Sequence, residues 1–138
     1  MRLLLVGSLV LLSSCVAAPK KAYSAADISS IDSIEEVMRV QAQQADPLFS
    51  IRSQESFSDA EFEQMVTVAA MIDATSTHLG EKFAGTGSFD DGFADFAKQL
   101  NGAAGALKSA AEAKDAAGAG EALKKMKSTC SSCHGVYK

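Results

Sequence analysis

The chain predicts an all-α fold, an antiparallel up-down-up-down four-helix bundle, and three observations carry that expectation. Apolar residues recur three and four apart in four separate blocks, no run alternates with the period of a strand, and the joining segments are short. Many small residues in the last two blocks would let those helices approach closely.

The first block covers roughly 31–50 and carries Ile34, Val37, Met38, Gln41, Ala45 and Leu48 at helical spacing. Ser33 and Glu36 stand as a capping box. Pro47 is awkward there, because a proline inside a helix costs about 3 kcal/mol; a bend, or a stop near Gln43, is expected. The second block, roughly 59–79, has the clearest start. Ser58 and Glu61 form a capping box, and Phe57 and Phe62 take the positions of a hydrophobic staple. Phe62, Met65, Ala69, Ile72, Ser76 and Leu79 then step along one face, and Gly80 is placed to end the helix. The third block, roughly 90–112, carries Phe93, Phe96, Leu100, Ala103, Leu107 and Ala110. The fourth, roughly 116–137, carries Ala119, Leu123, Met126, Cys130, Cys133 and Tyr137.

Ahead of these blocks the chain opens MRLLLVGSLVLLSSC. Arg2 followed by a ten-residue apolar run is too short to span a bilayer but fits a secretory signal. Leu12 to Cys15, LSSC, resembles a bacterial lipobox, which implies a signal peptide over 1–14 and lipidation of Cys15. Residues 15–29 then read as a lipid-anchored tether and 30–138 as the helical domain. The expected setting is the periplasm of a Gram-negative bacterium, with the protein held to a membrane by that anchor.

Removing residues 1–14, Arg2 among them, takes the formal charge from −4 to −5. The length that remains supports one domain with a real core. An acidic chain without a basic stripe excludes nucleic acid as an expected partner. The charge is uneven: residues 27–95 hold 14 acids against Arg39, Arg52 and Lys82, whereas 98–138 hold seven lysines against three acids. Three cysteines are an odd number for an exported protein; lipidation of Cys15 would leave Cys130 and Cys133 as a pair.

That pair belongs to CSSCH, residues 130–134. A thioredoxin-like redox pair sits at a helix N-terminus beside a βαβ pattern, whereas this pair sits near a helix C-terminus in a chain without strand signals. A structural zinc site needs four ligands and a catalytic one three, and the only other histidine is His78. C-x-x-C-H is also the signature of covalent haem attachment. In that reading one haem c is held by thioether bonds from Cys130 and Cys133 across its vinyl groups, and His134 carries its imidazole beneath the ring to bind the iron.

The C-terminal segment GEALKKMKSTCSSCHGVYK resembles the class II cytochromes c, the cytochrome c-prime group. The resemblance implies a four-helix bundle with the haem motif near the end of its last helix. The group's pattern closes with C-x-x-C-H, two residues, an aromatic and a basic residue, here Cys130, Cys133, His134, Tyr137 and Lys138; the group usually has arginine at that last position. Val37-Met38-Arg39 resembles the triplet that carries the distal methionine in low-spin members. Members often dimerise through their first two helices, but no exposed apolar stripe in this sequence marks a homodimer.

In an up-down-up-down bundle Met38 and His134 both stand roughly 6–8 Å above the same end, at 1.5 Å rise per residue. Phe83, Phe89, Phe93 and Phe96 fall there too and are expected to wall the iron from water. A thioether opposite a histidine gives six-coordinate iron of raised potential, suited to moving one electron. The alternatives are Met38 as a core filler beside an open site that binds nitric oxide or carbon monoxide, and His78 either as a distal ligand or as a helix-end partner. The first expectation is therefore an electron carrier serving a redox partner protein, and the second a gas-binding protein. No nucleophile–base or paired-carboxylate constellation marks an enzyme. Lys124, Lys125, Lys127 and Lys138 near the motif read either as a solvated face or as a docking patch for an acidic partner.

Overall fold

The computed structural model describes residues 21–138. The signal-peptide reading over 1–14 and the lipidation of Cys15 lie outside the described residues.

Four helices follow one another: α1 (Ile34–Ile51), α2 (Asp59–Lys82), α3 (Asp91–Glu112) and α4 (Ala116–Tyr137). Each opens on a side-chain cap of the kind the sequence offers. Ser33 accepts from the Glu36 amide, Ser58 and Glu61 form a reciprocal capping box, and Asp90 and Asp115 accept from the amides of Gly92 and Gly118. Such caps satisfy amides that no helical carbonyl can reach and contribute about 1 kcal/mol each. Phe57 meets Phe62 edge-on with ring centroids 5.7 Å apart, the staple that fixes the entry of α2.

Chain neighbours pack side by side, α1 on α2, α2 on α3 and α3 on α4, while α1 and α4 touch only sparsely to close the ring. The main core runs through Leu48, Met65, Ile72, Leu107, Leu123 and Met126, all fully buried. Small residues set the spacing. A Cβ on Gly80 would stand 3.5 Å from that of Ala97, so α2 and α3 lie close there. The α2–α3 connection turns through Gly85 and Gly87, at φ 76° and 57°, a left-handed conformation that side chains with a Cβ disfavour.

Two sequence expectations are corrected. Pro47 neither bends α1 to a stop nor ends it at Gln43; α1 runs on to Ile51, and Ser50 Oγ donates to the Pro47 carbonyl at 2.6 Å. Burial of Leu48 and Phe49 just beyond the proline offsets the lost backbone bond. Gly80 does not end α2, which continues to Lys82. Ahead of α1, a 3-10 turn over Ala25–Ser30 lies against α2 with Ile28 at 1% exposure. His78 and Lys82 hold that turn's exit, both donating to the Ile31 carbonyl, at 2.7 and 3.1 Å.

Candidate functional site

One cleft opens between the start of α1, the core edge of α3 and the last turns of α4. Its empty volume, open mouth included, is about 810 Å³, within the range that small-molecule and cofactor sites occupy. Met38, Ala42, Ala45 and Phe49 wall it from α1, Phe93, Phe96 and Leu100 from α3, and Met126, Cys130, Cys133 and His134 from α4. The lining is chiefly apolar, with Gln41, Asp46, Lys127, Thr129 and Ser131 as its polar members.

The sequence positions these groups by helical spacing alone. Met126, Cys130 and Cys133 recur four and three apart on α4, so one face carries the core methionine and then both thiols. His134 follows directly in the last turn of α4. On α1 the buried residues Val37, Gln41, Ala45 and Leu48 form the core stripe, and Met38 sits half-buried beside it. All four predicted site residues in the described chain, Met38, Cys130, Cys133 and His134, wall the same cleft.

The thiols are not poised as a redox pair. Burial pushes the Cys130 thiol up, with the Lys127 charge only partly opposing it, and burial does the same to Cys133. Reactive thiols need the reverse. Nor is a zinc site assembled: among the described residues no group of three or more His, Cys, Asp or Glu side chains is gathered, and zinc needs at least three protein ligands. Two thiols one helical turn apart, an adjoining imidazole and a facing thioether in an apolar cleft form a donor set that fits a covalently held haem.

His78 stands outside the cleft. It is buried, its Nε2 donates to the Ile31 carbonyl at 2.7 Å, and Phe83 packs edge-on against its ring at 5.8 Å. It ties the exit of the 3-10 turn to α2. The expected aromatic wall is half present. Phe93 and Phe96 line the cleft, whereas Phe83 sits on His78 and Phe89 stacks behind Phe93 at 4.6 Å. Sequence reading missed Ala42, Asp46 and Phe49 as lining residues. Their spacing of three and four residues onward from Met38, through Ala42 and Ala45–Asp46 to Phe49, is the signal that would have found them.

Tyr137 braces the end of α4. Its hydroxyl donates to Asp90 Oδ1 at the cap of α3, and Phe93 and Phe96 pack against its ring. Gly92 makes room, since a Cβ there would lie 2.8 Å from the Tyr137 oxygen. The hydrogen bond from Tyr137 holds Asp90 below the usual carboxylate range, and the same bond, with burial and the Asp90 charge, pushes Tyr137 up to about 12. The two linkages have opposite signs. Asp90, with its folded value lowered, contributes stability that is present above its unfolded pKa and lost as pH falls through its folded value. Tyr137, with its value raised, contributes stability that is present below the ordinary tyrosine pKa of about 10 and lost as pH rises toward about 12. Thermal melts of Tyr137→Phe should therefore fall below those of the wild type from about pH 5 to 10 and converge with them near pH 12. Equal melting temperatures across that range would show the bond carries nothing.

A family model described as Cytochrome C' matches residues 29–138. No curated protein matches the chain. No solved structure matches it either.

Proposed function

Because the chain belongs to the cytochrome c' family, which carries a covalent c-type haem with iron, we propose that it is a monohaem electron carrier in which Cys130 and Cys133 hold the group, His134 binds the iron from one side and Met38 from the other. The observation that supports the distal assignment is that Met38 and His134, on helices at opposite ends of the chain, wall one apolar cleft. When bound, haem iron supplies a one-electron couple whose potential a methionine ligand raises.

The chain's own residues account for the rest. α4 carries both thiols and the imidazole within one and a half turns, so attachment and ligation share a single rigid element. Tyr137 fixes the end of that element to α3. Phe93, Phe96 and Leu100 exclude water from one flank, and Ala42 and Ala45 leave room beside Met38 on the other. The reading is of a carrier and not of an enzyme. We assign it to the periplasm, the usual compartment of the family, with Cys15 as its lipid attachment. Among the described residues no helix is long and apolar enough to cross a membrane.

The test is the absorption spectrum of the reduced holoprotein, with and without carbon monoxide. A sharp low-spin spectrum that the gas leaves unchanged is expected. A broad spectrum that shifts on adding the gas would replace this reading with the gas-binding one, Met38 then serving as a core residue packed beside Val37 and Val40.

The lysines of α4 give the carrier a docking face. Lys127 lies 5.1 Å over the Phe49 ring at the cleft wall, and Lys124 pairs with Glu121 at 3.1 Å on an exposed surface. Exposed charges steer encounter and are screened beyond about 8–10 Å at physiological salt. Electron transfer to an acidic partner should therefore slow as ionic strength rises; a flat salt profile would remove the lysines from docking.

A further inference from the structure

The cleft wall contains two polar side chains that are more than nine-tenths buried, Thr129 and Gln41. Thr129 is accounted for, its hydroxyl donating to the Lys125 carbonyl at 3.0 Å. Gln41 is not. It stands three residues after Met38 on α1, hence on an adjoining strip of the same helix. Its Nε2 donates to Thr75 Oγ1 of α2 at 3.0 Å. The Thr75 hydroxyl is itself directed at the backbone carbonyls of Met71 and Ile72, at 2.9 and 3.1 Å. A hydroxyl has one proton, so Thr75 can only accept from Gln41, and the amide is fixed with its nitrogen toward α2. Its Oε1 has no partner among the described residues, yet no fully buried side-chain oxygen or nitrogen among them is orphaned. Oε1 therefore lies open to the cleft that Gln41 lines.

A half-satisfied amide in an apolar wall is costly to keep, and leucine would fill the same strip without that cost. We propose that Gln41 is a positioning residue for the iron's redox preference: anchored by Thr75, its carbonyl presents the negative end of a fixed dipole to the distal side of the cleft. This rests on the haem occupying the cleft as proposed above. In a poorly solvated site such a dipole acts strongly and needs no reorganisation. It stabilises the more positive ferric state over the ferrous one and lowers the potential below what an all-apolar wall would give, a use of outer-shell polarity that tunes bound metals generally.

The experiment is a potentiometric titration of the holoprotein, followed by visible absorption, for the wild type, Gln41→Leu, Thr75→Val and Thr75→Ser. Gln41→Leu should shift the ferrous-to-ferric ratio at fixed poise toward ferrous by about threefold to tenfold, tenfold being 59 mV for one electron. Thr75→Val keeps the amide but frees it, and should shift the ratio the same way by a smaller factor. Thr75→Ser keeps the acceptor and should titrate as the wild type. An unshifted Gln41→Leu, or Thr75→Ser moving as far as Thr75→Val, would overturn the proposal; should Gln41→Leu not fold, the threonine pair decides alone. The spectrum of the wild type under carbon monoxide is read separately. An open distal site there would sink the electron-carrier reading while leaving the Gln41 shift to be judged on its own.

Discussion

Met38→Ala should convert the reduced holoprotein from a spectrum indifferent to carbon monoxide into one that shifts on adding the gas, with the reduction potential falling as well. The argument is one of reach. Of the two side chains that reading the sequence offered for the distal side, Met38 walls the cleft, while His78 is committed to the Ile31 carbonyl. Alanine removes the thioether, and neighbouring Ala42 and Ala45 have nothing to substitute for it. Loss of a methionine ligand also loses the stabilisation of ferrous iron that raises the potential. The effect on folding should be smaller. Met38 is half-buried, so the lost burial should cost about 1–2 kcal/mol, below the 2–5 found for fully buried large-to-alanine changes. A variant that keeps a gas-insensitive low-spin spectrum would place the sixth ligand on another residue.

Leu123→Ala should do the opposite, lowering stability by about 2–5 kcal/mol while leaving the spectrum as it is. Leu123 is fully buried on α4, packed in the main core with Leu107 and Met126, and does not line the cleft. Its loss leaves a cavity between helices that small residues have already drawn close, and close neighbours collapse poorly into new space. Against a typical total of 5–15 kcal/mol, the melting temperature should fall by roughly 10–20 °C. The two variants together separate site from scaffold. A spectral change in Leu123→Ala as large as that of Met38→Ala would mean that core packing and iron ligation are not separable in this bundle.

The helices were legible because their starts are written in local chemistry. Ser33, Ser58 and the Phe57–Phe62 staple mark boundaries that the structure keeps. The α4 wall of the cleft was legible for a related reason: C-x-x-C-H gathers two thiols and an imidazole within five residues. What failed depended on tertiary packing. Local propensity stops α1 at Pro47, but Leu48 and Phe49 have core neighbours that override it. The burial of Ile28 against α2 is signalled by no neighbouring residue. His78 was left open between a distal ligand and a helix-end partner, and the backbone carbonyl it meets, from residue 31, is visible only in the fold. Gln41 passed as one polar residue on an apolar face, because its partner Thr75 lies on another helix.

The sparse contact between α1 and α4 also bears on the order in which the molecule assembles. The α2–α3 hairpin joins chain neighbours over its most extensive packing, so its loop closes at low entropic cost. The two walls of the cleft come from opposite ends of the chain and reward each other least, which makes their approach the late event of folding. Cys130 and Cys133 are thus carried on a helix whose inner neighbours can already be native while its outer face is still open. On this ordering, a maturation enzyme reaching both sulfurs would meet a partly built protein, with bundle closure following attachment.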